Sequence, residues 1–198
     1  MKQVFMIYAV LIAALACWWI ITKNEWFKPK DPSEKQKALK ISKHSKSFNE
    51  SLDKSLDKYF KISSAFSSND TVAADKNANE LLTELNSLNL DELKNDTAGI
   101  YETAASKLDD TKGSLQQMIE EAGIDAKKKD FATVSDNIYT FLNSFRYDGS
   151  ELYWLECQNA LGENSSGFWL SKEEKSENPY GQKDCGTVRK KMNVPPKN

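Results

Sequence analysis

The chain has a single histidine, His44, and three cysteines, Cys17, Cys157 and Cys185, among 198 residues. That count excludes a structural zinc site of four cysteines, or of two cysteines and two histidines. A Ser-His-Asp triad would have to rest on His44 alone. Dinuclear carboxylate centres of helical bundles use Glu-x-x-His pairs, and the helical part has no histidine to offer. With no nucleophile and base pair to name, the chain reads as non-catalytic. Excess positive charge on the body is missing as well. Residues 22–48 hold eight lysines against Glu25, Asp31 and Glu34, a net +5, and Lys2 adds one; with a total of −2, residues 49–198 carry −8. Phosphate affinity needs clustered positive charge on the folded part, so nucleic acid is not an expected partner.

One long apolar run is present. Val4 to Ile21 is eighteen residues without a charge, at the lower end of what crosses a hydrocarbon core as a helix. The reading carried forward is a membrane anchor over residues 1–22, with the membrane as partner through residues 4–21. Trp18 and Trp19 suit an interfacial aromatic belt. Two processing alternatives stay open: a signal-peptidase site at Ala14-Leu15-Ala16, and a loose lipoprotein box ending at Cys17. Trp18-Trp19-Ile20-Ile21 would make an unusual mature terminus for either. The lysines that follow the segment would, on a literal positive-inside count, hold the body in the cytoplasm. The short basic N-terminus favours export instead, and export is the expectation here. Residues 23–46, with Pro29, Pro32 and the lysine run, read as a solvated basic linker, with His44 exposed near its end.

From Phe48 to Phe145 there is no proline, and apolar residues recur at helical spacing. Phe48, Leu52, Leu56, Tyr59, Phe60 and Ser63 form one stripe, ending near Phe66. Ala74, Ala78, Leu81, Leu82, Leu85 and Leu88 form a second, with Asp70 or Thr71 as its N-cap. A third element runs from Asp91 to Glu121, with Gly113 a candidate break. The fourth carries Phe131, Val134, Ile138, Phe141, Leu142 and Phe145. Short connections predict an up-down four-helix bundle. Lys127-Lys128-Lys129 falls in the first turn of the fourth helix, against the macrodipole. Either an acidic partner compensates, or the cost is tolerated.

After Asp148-Gly149 the composition turns aromatic. Residues 151–157 and 167–171 read as two strands of a small C-terminal hairpin, followed by a turn at Asn178–Gly181 and a basic tail. The fold class is therefore mainly α: a four-helix bundle with a small C-terminal β-hairpin unit over residues 47–192, a tail at 193–198, and the N-terminal membrane segment. Trp154 and Trp169 are expected to pack the hairpin on the bundle.

The C-terminal stretch also carries a resemblance. Cys157, then Gly167-Phe168-Trp169-Leu170-Ser171-Lys172, Asn178-Pro179-Tyr180-Gly181 and Cys185-Gly186 resemble the signature of a bacterial domain of unknown function. That domain is found alone in exported proteins and at the C-terminus of some periplasmic adaptor subunits of copper and silver efflux systems. The likeness extends weakly over the helices from about Asn49, notably at Lys129-Asp130-Phe131 followed by Ser135. It implies a helical extracytoplasmic module of a family associated with copper and silver efflux; joined to the apolar run, this predicts a body in the periplasm, held to the bacterial cell envelope by a membrane segment or as a lipoprotein, with efflux or other envelope proteins as partners. Family members tend to have Cys-Pro-Met where this chain has Cys157-Gln158-Asn159, which removes a thioether suited to Cu(I).

Several readings of the cysteine pair stay open. Cys157 and Cys185 could form a disulfide, which export and a small peripheral unit both favour. They could instead bind Cu(I) or another soft metal as thiolates, with Met192 as third donor. They could also be unrelated thiols. Asp70-Thr71-Val72 and Asp96-Thr97-Ala98 are shaped like bacterial O-glycosylation sites, but helix capping ranks first for both.

Overall fold

The structure is a computed structural model that describes residues 43–96 and 99–193. The apolar run 4–21, Cys17, the linker up to Ser42, the Thr97-Ala98 pair of the second Asp-Thr motif and residues 194–198 lie outside the described residues. Among the described residues no helix is long and apolar enough to cross a membrane.

Four helices carry the core: α1 (Lys46–Ser67), α2 (Thr71–Ser87), α3 (Ile100–Glu120) and α4 (Ile124–Ser144). The first two begin at side chains that accept from free backbone N–H groups, whereas α3 and α4 begin at Gly99 and Gly123 without a side-chain cap. Ser45 Oγ accepts from Phe48 N at 3.2 Å to start α1, and Asp70 accepts from Ala73 N at 2.9 Å to start α2. Asp70 therefore acts as the expected cap. The expected stripes are buried, with small adjustments. In α1, Ile62 and Phe66 complete the buried face while Phe60 is only half-buried. In α2, Ala74, Ala78, Leu81 and Leu85 are buried and Leu82 is half-buried, as is Leu88 just past the helix end. All six apolar residues expected of the fourth helix are buried. In α3, Thr111 fills the step between Leu108 and Leu115, its hydroxyl returned to Lys107 O at 2.7 Å.

The third element differs from its prediction. It is two pieces: a 3-10 turn at Asp91–Asn95, then α3. The interruption falls at Gly99, whose φ of +91° lies in the left-handed region and cannot continue a helix. Gly113 stays inside α3, where its missing side chain faces open space and disturbs nothing.

The C-terminal unit also differs. Two strands were expected, and three are present: β1 (Leu152–Cys157), β2 (Gly167–Ser171) and β3 (Thr187–Met192), in the antiparallel order β2-β1-β3. The basic segment read as a tail is an edge strand, with Leu152 opposite Met192 and Glu156 opposite Thr187. Charged side chains suit an unpaired edge, which they keep from pairing with other chains. β2, the other edge, lies against α4 and α1. Trp154 stacks on Tyr139 of α4, with centroids 4.4 Å apart, and on Phe168 at 5.5 Å. Trp169 is fully buried, its Nε1–H donated to Ser176 Oγ at 2.8 Å.

His44 is not part of a solvated linker. Its side chain is 3% exposed, wedged between Phe48 and Phe145 with centroids 5.2 and 5.3 Å away. Nδ1 lies 2.9 Å from Glu92 Oε1 and Nε2 lies 2.9 Å from Phe145 O, while its backbone N–H donates to Asp148 Oδ2 at 3.0 Å. Both ring nitrogens face acceptors, an arrangement that only the doubly protonated ring fills with two donors.

Candidate functional site

The residues singled out for metal binding separate into two places. Cys157 ends β1 and Cys185 precedes β3; they are joined by a disulfide across 28 positions, with Cα atoms 5.3 Å apart. Met192 sits opposite Leu152, at the other end of β1, five residues before Cys157. At about 3.3 Å per strand residue that is some 16 Å away. The fold thus pairs the two sulfurs with each other and leaves the thioether buried elsewhere. Among the described residues no group of three or more His, Cys, Asp or Glu side chains is arranged to hold a metal.

The motif residues of the C-terminal unit converge on its packing against the helices. The Tyr180 ring lies on Gly167, where a β-carbon would overlap it. Its hydroxyl donates to Phe168 O at 2.5 Å. Asn178 shapes the turn beneath: Oδ1 accepts from Tyr180 N at 2.8 Å and Nδ2 donates to Gln182 O at 3.0 Å. Gly186 gives the Trp169 ring room, since a β-carbon there would come within 3.1 Å of it. Gly167 and Gly186 of the signature therefore have a steric reason, and Asn178 a hydrogen-bonding one.

A buried polar chain ties this unit to the helices. Tyr59 of α1, fully buried, accepts from the outward N–H of Leu170 on edge strand β2 at 3.0 Å. Ser135 Oγ of α4 gives its hydrogen to Phe131 O at 2.8 Å, so Tyr59 is the donor in its 2.7 Å bond to Ser135 Oγ. Burial pushes the Tyr59 phenol well above its ordinary range, which keeps that hydrogen in place. Ser135 and the Trp169-Leu170-Ser171 string, far apart in sequence, meet at this bridge.

The lysine triplet divides into three roles. Lys127, 3% exposed, spends its ammonium on Asp75 Oδ1 at 2.7 Å, Met118 O at 2.9 Å and Ile119 O at 3.0 Å. It holds the start of α4 against α2 and the C-terminal carbonyls of α3, which answers the macrodipole cost with a carboxylate and a second helix end. Lys128, 6% exposed, reaches the turn between α1 and α2, where Asn69 Oδ1 accepts from Nζ at 2.8 Å. Desolvation lowers its pKa, and the charge of Asp125 opposes this only in part. Lys129 is exposed. Sequence reasoning marked the triplet as anomalous, but which two lysines turn inward depends on helix phase against α1, α2 and α3.

A groove of about 760 Å³ lies between the α1–α2 turn and the disulfide loop, with Asn69 and Gly181 in its walls. Lys175 and Lys183 stand at its rim with Glu177 and Asp184, so the rim charges cancel.

A family model described as a protein of unknown function (DUF3347) matches residues 55–149. The match runs from α1 through α4 and stops before β1, so the cysteine and Asn-Pro-Tyr-Gly motifs lie beyond it. No curated protein and no solved structure matches the chain.

Proposed function

We propose that this chain is a membrane-tethered, extracytoplasmic helical module of the bacterial envelope that acts by protein contact and not by catalysis. The observation that carries the reading is the Cys157–Cys185 disulfide, which closes the C-terminal unit and belongs to an oxidising compartment. The apolar run from Val4 to Ile21 supplies the tether. Engagement of both ring nitrogens of His44 favours a non-catalytic role, because no free general base is left on that ring. The resemblance of residues 157–186 supports a copper or silver efflux assembly as the partner. Contact is favoured over metal relay there, since sulfurs shared in a disulfide offer no thiolate.

Compartment and pairing can be tested together in intact cells producing the full chain. A membrane-impermeant maleimide is applied before and after an impermeant reductant, and labelled peptides are identified by mass. Labelling of Cys157 and Cys185 only after reduction is the expected result. Labelling that requires cell lysis would place the body in the cytoplasm and sink the proposal. For the metal alternative, Cu(I) competition with the full chain is expected to give the same affinity for wild type and Cys157→Ser.

A further inference from the structure

We propose that His44 is a proton-operated latch: with both ring nitrogens protonated it fastens residues 43–45, the stretch leading into α1, to the 3-10 turn and to the end of α4, and when rising pH removes one proton it lets that stretch go. The inference rests on what the two nitrogens face. Nδ1 lies 2.9 Å from Glu92 Oε1 and Nε2 lies 2.9 Å from Phe145 O. The other oxygen of the same carboxylate, Glu92 Oε2, accepts from Ser45 Oγ at 2.6 Å. A backbone carbonyl and a carboxylate can only accept, so the ring supplies both hydrogens. A neutral imidazole has one N–H, and whichever nitrogen gives up its proton then sets a lone pair against an oxygen. With the side chain 3% exposed, water has little access to relieve that contact.

The surroundings leave the counter-charge to this ring. On the 3-10 turn Asp91 pairs with Lys94. On α1, Glu50 pairs with Lys46, and Asp53 accepts from the Tyr147 hydroxyl. Lys43 and Arg146, the remaining cations beside the ring's own segment and the end of α4, are exposed. Glu92 therefore serves the ring, while Asp148 holds the His44 backbone N–H at 3.0 Å. Three elements meet on this one side chain: the 3-10 turn through Glu92, α1 through Phe48 and the end of α4 through Phe145. Because the fastened state binds the extra proton, the latch tightens as pH falls and loosens as pH rises. The inference is independent of the proposed function.

His44 is the only histidine in the sequence, so its ring signals are unambiguous. The full chain in non-ionic detergent is titrated from about pH 5 to about pH 9, with the ring nitrogen shifts read by NMR. Hydrogen-exchange protection of the His44 and Phe48 amides is measured in parallel and corrected for the intrinsic pH dependence of exchange. Both nitrogens are expected to be protonated at the acid end, and protection of the two amides should fall by about tenfold or more with the same midpoint as the ring. His44→Gln removes the titrating group, so protection should no longer vary with pH. Glu92→Gln keeps the ring but takes away its counter-charge, and should move the transition to lower pH. A ring that holds one charge state over the whole range would overturn the proposal, as would protection that stays flat while the ring titrates, or a transition that persists unchanged in either variant.

Discussion

Removing one oxygen atom, in Tyr59→Phe, probes how the sheet is held to the helices. The ring would keep its stack on Phe131, with centroids 5.2 Å apart and an interplanar angle of 20°. Ser135 would keep its bond to Phe131 O. The Leu170 N–H, which faces away from β1, would lose its acceptor inside the protein. An unsatisfied buried donor costs about 1–3 kcal/mol, and loss of the Ser135 contact adds a little, so a destabilisation of about 2–3 kcal/mol is expected. For a body of this size that corresponds to a fall in melting temperature of roughly 5–10 °C. Urea unfolding followed by far-UV circular dichroism measures the first quantity, and amide exchange at Leu170 reports the bond directly. Ser135→Ala orphans the hydrogen of Tyr59, so the two substitutions should be non-additive in a double-mutant cycle. A loss below about 0.5 kcal/mol, with Leu170 exchange unchanged, would refute the bridge as the link between β2 and the helices.

Three further outcomes follow from other parts of the structure. Replacing both Cys157 and Cys185 by serine opens a loop of 28 residues and should cost about 3–4 kcal/mol by chain entropy; unchanged urea midpoints under oxidising conditions would count against a formed disulfide. Burial, assisted by the charge of Glu121, raises the Asp130 carboxyl above its usual range, and its Oδ2 has no hydrogen-bond partner among the described residues. The folded chain therefore binds that proton more tightly than the unfolded chain, so ionised Asp130 weakens the fold at neutral pH and the penalty fades as pH falls through its titration. Asp130→Asn should be more stable than wild type at about pH 7 and lose that advantage by about pH 4, with a variant no more stable at neutrality contradicting the sign. Gly167→Ala sets a methyl into the Tyr180 ring and should lower stability by about 2 kcal/mol or more, read as melting temperature; tolerance would mean that the ring does not rest on Gly167.

The helices were legible because their information is local. Phe131, Val134, Ile138, Phe141, Leu142 and Phe145 each repeat within one turn of the next, and a helix translates that spacing into one buried face. β3 was not legible, because Arg189, Lys190 and Lys191 are exposed and only Met192 among its six residues is buried, so no alternation of apolar residues marks it. Its existence depends on β1 offering a free edge. His44 was misread for a related reason: its partners, Glu92 and Phe145, lie 48 and 101 positions away, beyond any window over a lysine-rich segment. The cysteine pair was legible as a possibility, while the displacement of Met192 needed the register of β3 against β1. Among lysines 127, 128 and 129, the charge run was plain. Which ammonium found a carboxylate was a matter of helix phase.

The seating of His44 has a mechanical consequence. Its ring is held by Glu92 from the 3-10 turn and by Phe145 O just past the end of α4, and its backbone by Asp148. Tension arriving along the chain from the N-terminal side would meet those three anchors before it reached the first turn of α1. Load would pass directly to the far end of the helical succession, in shear across a packed aromatic cluster, and α1 would be spared from unzipping one turn at a time.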